Sequence, residues 1–149
     1  MKRIIVLAGC AATLLLVGCA STTQYVPMPD QTKAVEDPSK GRVYVMRPSS
    51  LGYAVGMNVS DGGNPIGSTG AKGYLCWERE PGDVVVSSTS ENTSRVSLPV
   101  RPGSIHYIVQ HIRMGIWIAR TDLEVVSDEQ GKKELKKCKP AKCNIQPHK

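Results

Sequence analysis

The residue in this sequence whose setting specifies a reaction is Cys19. Leu16-Val17-Gly18-Cys19 puts a leucine, a branched residue and a glycine ahead of a thiol, the order of a bacterial lipobox. In that setting the thiol is joined to a diacylglycerol, a peptidase cuts in front of the modified cysteine, and the new amino group can be acylated in turn. The residues ahead of it complete an export signal: Lys2 and Arg3 form a positive start, residues 4–17 are almost all apolar, and the small residues Gly18, Ala20 and Ser21 surround the cut. The apolar run is about 14 residues, short of the roughly 20 that a helix needs to span a bilayer. A cleaved signal over residues 1–18 is expected, not a retained span. Leu7-Ala8-Gly9-Cys10 has the same spacing but too few apolar residues before it, so Cys10 is read as part of the hydrophobic stretch. Two or three acyl chains bury dozens of methylenes at about 0.8 kcal/mol each, which makes attachment effectively permanent. Ala20, not an aspartate, follows the cysteine. By resemblance to Gram-negative lipoproteins, the lack of that retention residue implies the outer membrane, with the protein facing the periplasm.

No second constellation of comparable strength follows. His106 and His111 are five residues apart on an expected strand, so they face opposite sides and cannot share one metal. Glu78 and Glu80 flank Arg79 before a turn; two nearby carboxylates could do acid–base work, but on a strand end they are expected as a solvated face. Ser87, Ser88, Ser90 and Ser94 lack the strand–turn–helix setting of an activated nucleophile. The glycine-rich run Gly62-Gly63-Asn64-Pro65-Ile66-Gly67 lacks the Gly-Lys-Ser/Thr ending of a phosphate loop and lies between strands. No catalytic residue, metal site or cofactor is assigned. The remaining candidates suit contact. Trp77 or Trp117, if exposed, would stack on a glycan or meet a protein, and the lysine-rich end could touch anionic headgroups.

These candidates must be positioned by what lies between them. Removing the signal leaves about 131 residues, enough for one domain with its own core. The positive charge is uneven: residues 132–149 carry seven lysines against one glutamate, while residues 19–131 are slightly acidic. A nucleic-acid module would spread its charge over the fold, so nucleic acid is not an expected partner. Residues 20–40 are polar, carry Pro27, Pro29 and Pro38 and show no periodicity; with the lipidated Cys19 they are expected to form a flexible tether (19–40). From Gly41 the chain turns to short β-branched segments. Strands are expected over residues 42–47, 53–59, around Ile66, and over 73–78, 84–88, 95–100, 105–112 and 116–126. Asp61-Gly62-Gly63-Asn64 supplies a hairpin turn with positive φ at both centres. Residues 127–137 read as a helix, with Ser127 as N-cap, acids first and lysines last, weakened by Gly131. The expectation is an all-β fold: an antiparallel β-sandwich of about seven or eight short strands with a short C-terminal helix (41–137), then a basic, cysteine-containing tail (138–149).

Export permits disulfides. With Cys19 acylated, Cys76, Cys138 and Cys143 allow three single pairings. The favoured one is Cys138–Cys143, closing a loop through Lys139-Pro140-Ala141-Lys142. A bridge from Cys76 to either tail cysteine is the rival, and a cysteine–histidine zinc site the third alternative.

The run Gly41-Arg-Val-Tyr-Val-Met-Arg-Pro48, the Asn58-Val-Ser-Asp-Gly-Gly63 hairpin with Ile66-Gly67, Pro81-Gly82, the strand at residues 102–110 and the acidic-then-lysine close at Cys138 resemble a family of small bacterial lipoproteins built on a domain of unknown function. The hairpin and its Pro-Gly turn are also similar to short carbohydrate- or envelope-associated β modules. Neither resemblance brings a catalytic residue. The chain departs from the family pattern in having no phenylalanine and in continuing past Cys138 to a second cysteine. The expected function is a membrane-anchored, non-enzymatic envelope module that contacts another envelope protein or a glycan. The alternatives are an inhibitor of a cell-wall-degrading enzyme and a cell-wall hydrolase. Oligomeric state is left open.

Overall fold

A computed structural model describes residues 19–143; the signal, Cys10 and residues 144–149 with His148 lie outside the described residues. Its elements are β1 (Thr23–Gln24), β2 (Gly41–Arg47), β3 (Met57–Asp61), β4 (Asn64–Thr69), β5 (Gly73–Arg79), β6 (Gly82–Thr89), β7 (Thr93–Val100), β8 (Ile105–Met114), β9 (Ala119–Val126), α1 (Asp128–Leu135), β10 (Lys139–Pro140) and β11 (Lys142–Cys143). They form two sheets, ordered β11-β1-β4-β3-β6-β7 and β10-β5-β2-β8-β9, a sandwich-like all-β fold with one short helix. Between the sheets lie Val43, Val45, Val59, Leu75, Trp77, Val86, Leu98 and Ile108, among others. A second cluster on the outer face of the second sheet, with Tyr44, Met46, Tyr74 and Tyr107, is covered by α1 and by the segment around Met28. This double covering explains why all seven residues of β2 are buried, where a strand with one wet face would alternate.

The hairpin at Gly62-Gly63 forms as expected, both glycines having positive φ (55° and 87°) between β3 and β4. Other expectations need correction. The sheets are not wholly antiparallel: β2 and β8 run side by side in parallel at the centre of the second sheet. The strand expected over residues 53–59 begins only at Met57, and residues 51–54 form a turn.

The larger correction concerns residues 19–40. In place of a tether, Thr23 and Gln24 pair with Ser68 and Gly67 of β4. The fully buried Gln24 side chain works like an extra peptide unit: its Nε2 donates to the Cys76 carbonyl (2.7 Å) and its Oε1 accepts from the Cys76 amide (3.0 Å). One glutamine thus ties the first sheet to the second. Farther along, the carbonyls of Asp30 and Lys33 accept from the Arg42 guanidinium. A polar segment without periodicity is ordered here because the body supplies partners for its backbone.

Nor are residues 138–143 a free tail. β10 pairs with β5 and β11 with β1, so the chain crosses from the edge of one sheet to the edge of the other at Ala141. Ser127 caps α1, its hydroxyl accepting from the Gln130 amide at 3.4 Å. Gly131 is the buried residue of that helix, and a Cβ there would stand 2.2 Å from the Tyr107 ring. A glycine in an exposed helix is usually improved by alanine; here the close approach reverses the sign. Gly131→Ala should lower stability by about 1–3 kcal/mol, the usual cost of overpacking, as read from the midpoint of urea unfolding.

Candidate functional site

Strand directions bring four loops and Cys19 to one end of the sandwich. β2 ends there, and β3, β5, β7 and β9 begin there, as the pairings Met57 with Thr69, Arg47 with Gly73, and Thr89 with Thr93 show. β8 pairs with β2 only as far as Val109, then continues to Met114 with β9 as its one ladder partner. This two-stranded arm reaches roughly 15 Å beyond the parallel pairing, at about 3.3 Å per residue. A buried polar tie fixes its base: Gln110 donates to Ser88 (2.5 Å) and to Thr121 (3.3 Å), Thr69 donates to Gln110, and Ser88 and Thr121 share a 2.8 Å bond. Along β9, Asn92 bonds both the amide and the carbonyl of Thr121, and Ser94 accepts from the Leu123 amide.

Two charged side chains hold the loops at this end. Arg47 is fully buried. Its Nη1 donates to the carbonyls of Val55 (2.6 Å) and Thr69 (3.0 Å), and its Nη2 to those of Leu51 (3.0 Å) and Gly52 (2.7 Å). Burial pushes its pKa below the usual arginine value, but a guanidinium stays charged at physiological pH. Its partners among the described residues are carbonyl dipoles, and its Nε has none. The second holder is Glu91, in the turn between β6 and β7. Its carboxylate accepts from three consecutive amides at the tip of the arm, Ile116, Trp117 and Ile118, each at 3.0 Å. Those bonds, with Ile118 first, pull its pKa down to about 2. Gly115 permits the close approach, since a Cβ there would strike the Ile118 carbonyl and the Glu91 carboxylate.

Both loops present apolar side chains to solvent. Trp117 is 89 % exposed, Met114 and Ile116 are each 80 %, and Ile118, Leu51 and Tyr53 are close to half exposed. Six of the nine large hydrophobics exposed among the described residues therefore share this end. The loops lie close together, since a Cβ added at Gly52 would stand 3.4 Å from that of Ala119. Cys19 is exposed beside them: the amide of the next residue, Ala20, donates to the Tyr53 carbonyl at 3.0 Å.

The structure sorts the other candidates. Trp77 is core, 3 % exposed, its indole N–H on Asp61 at 2.7 Å, so it offers no stacking face. Asp61 also pairs with Arg79. Cys138 and Cys143 are free thiols. No bond joins the two in this structure, where β10 and β11 carry the chain to the edges of different sheets. Cys143 instead lies 3.6 Å from the Val26 carbonyl. Cys76 is fully buried and free; burial raises its pKa, and that of Cys138, to about 11. Glu78 is not on a solvated face. It pairs with the fully buried Arg42 at 2.8 Å and accepts from the Glu36 and Asp37 amides. Burial works to raise its pKa, but these bonds outweigh it and hold the carboxyl below its ordinary value. His106 hydrogen-bonds Ser104 and His111 pairs with Glu124. Among the described residues no three histidine, cysteine or acidic side chains gather where they could hold a metal, and no helix is long and apolar enough to cross a membrane. The Arg47 and Glu91 contacts carry no sequence signal, being bonds to backbone groups, 4 to 22 residues away for Arg47 and 25 to 27 for Glu91.

Residues 37–122 match the family described as "Protein of unknown function (DUF2846)", over more than half of the chain. The chain belongs to this family. It is also similar to an uncharacterised protein of Haemophilus influenzae, 27% identical over 108 residues that cover 70% of this chain and 64% of the relative. The chain thus spans less than two thirds of that relative's length. The DUF2846 match starts just before β2 and ends within β9, so it takes in Arg47, Glu91 and the tip, while Cys19, β1 and the helix lie outside it.

The two holders give opposite predictions. A carboxyl with a depressed pKa contributes order above its ordinary pKa of 4.5 and loses it as pH falls towards about 2. Amide-exchange protection factors at residues 116–118 should therefore stay constant from neutral pH to near 4.5 and fall below it. Glu91→Ala should remove the protection at every pH. Arg47→Met would strand four carbonyls and should cost roughly 2–4 kcal/mol by denaturant unfolding at any pH.

Proposed function

We propose that this protein is a bacterial lipoprotein, cut before Cys19 and held by acyl chains on that residue at the outer membrane, where it works as a non-enzymatic binding or structural module of the envelope. The observation that carries the reading is the lipobox Leu16-Val17-Gly18-Cys19 together with the exposed position of Cys19 at the rim of the folded body. A cysteine to be modified must be reachable, and this one is.

The non-enzymatic part is supported by how the acidic groups are used. Glu78 is committed to Arg42, Asp61 to Trp77 and Arg79, and Glu91 to the tip of the arm. The recess of about 540 Å³ beside Trp77 is lined by three carboxylates, Glu36, Asp37 and Glu78, and each is already bonded: Glu36 accepts from the Asp30 amide, Asp37 from Ser39 and Glu78 from Arg42. The thiols of buried Cys76 and half-buried Cys138, with pKa near 11, are protonated at neutral pH and are poor nucleophiles.

Mass spectrometry of the protein isolated from membranes tests the anchor. The expected N-terminal peptide begins at Cys19 and carries a diacylglyceryl group with a further acyl chain, and Cys19→Ala abolishes it. A mature N-terminus elsewhere, or an unmodified Cys19 thiol, would overturn the reading. Cleavage of purified peptidoglycan by the protein would overturn its non-enzymatic part.

A further inference from the structure

We infer that the apolar tip of the β8–β9 arm, with the neighbouring 51–53 turn, is a second membrane contact that inserts into the lipid headgroup region and seats the body end-on upon the bilayer. This rests on Cys19 being the lipid anchor, and adds an orientation and an insertion surface to it.

The occupant follows from position. Ala20 is bonded to the Tyr53 carbonyl, so no slack separates Cys19 from the folded body. One residue spans about 3.8 Å, and acyl chains on Cys19 therefore start within a few ångströms of the 51–53 turn. That turn lies close to the arm at Ala119, and Ile118, Trp117 and Ile116 follow. Lipid attached at Cys19 places this patch against lipid.

Composition and charge fit the same surface. Tryptophan and tyrosine with aliphatic neighbours are the side chains that settle at the membrane–water interface. Exposed basic side chains stand around the patch: Lys72 in the turn before β5, Lys139 opposite Gly73, and Arg113 opposite Arg120 on the arm. The acids nearby are occupied, Asp122 by Arg113 and Glu91 by the three tip amides. The net positive rim suits anionic headgroups. Glu91 also relieves the tip of a specific difficulty, since three backbone N–H groups entering a dehydrated zone need a partner and its carboxylate supplies one.

The test uses the mature protein reconstituted in vesicles of phosphatidylethanolamine and phosphatidylglycerol, some made with brominated acyl chains, and follows tryptophan emission. Trp77 is buried and bonded to Asp61, so it is a constant background that Trp117→Ala isolates. The expected result is a blue-shifted Trp117 emission, quenched several-fold by brominated lipid and shielded from aqueous iodide. Ile116→Glu should abolish the quenching while the protein still floats with the vesicles. Floating protein whose Trp117 stays open to iodide overturns the inference and leaves the anchor intact. If the N-terminal peptide carries no acyl group the anchor reading fails. The same non-acylated protein mixed with the vesicles then decides the tip, and no quenching overturns it too. A blue shift that grows with protein concentration without lipid assigns the patch to a second copy of the chain and also overturns it.

Discussion

A full positive charge sits at Arg47 with no water around it and carbonyl oxygens as its hydrogen-bond partners. Removing a guanidinium from water is expensive, and the expense is tolerable only where several strong dipoles replace the lost solvation. Four carbonyls do so here, three from the 51–55 turn and one from the end of β4. The dependence runs both ways. The turn has no ladder of its own and keeps its shape because the charge requires it, and the charge is tolerated because the turn is present. From this pairing the rest of the end follows: Gly52 meets Ala119, Tyr53 receives Ala20, and Cys19 is delivered to the rim.

Glu91 is the complement of Arg47. A carboxylate gathers three amides at the arm's tip as the guanidinium gathers four carbonyls at the turn. In each case one side chain substitutes for the secondary structure that the loop lacks, and a charge-assisted bond is stronger than its neutral equivalent. These bonds fix the backbone amides of residues 116–118 while the side chains of Met114, Ile116 and Trp117 stay exposed. An apolar side chain held out into water is unfavourable for a protein that works alone in solution. It is consistent with one that meets a second phase.

Much of the sandwich was legible in the sequence, because alternation and turn chemistry are local. The Gly62-Gly63 hairpin, the strands from β4 to β9 and the Ser127-capped helix came from spacing alone. The docking of residues 20–40 was not legible, since Gln24 bonds to Cys76 across 52 positions and a polar segment carries no periodicity to announce it. Arg47 was the last residue of an expected strand, and Glu91 fell between two expected strands with nothing to single it out. The two tryptophans were equivalent in sequence, each in an apolar run. Only the structure separates them, because Trp77 lies in a covered central strand while Met114-Gly115-Ile116-Trp117-Ile118 closes a hairpin where polar turn residues would normally stand. The sheet crossing between Cys138 and Cys143 was equally invisible, because proximity in sequence says nothing of it.

The central claim is that the Cys19 end faces lipid and the Gly62-Gly63 end faces away. Paramagnetic broadening of backbone amides by a spin-labelled lipid, with the acylated protein in nanodiscs, measures this directly. The account predicts strong broadening at residues 51–54 and 115–118 and none at residues 62–63 and 102–103. Broadening that is uniform along the chain, or that favours the Gly62-Gly63 end, would contradict it.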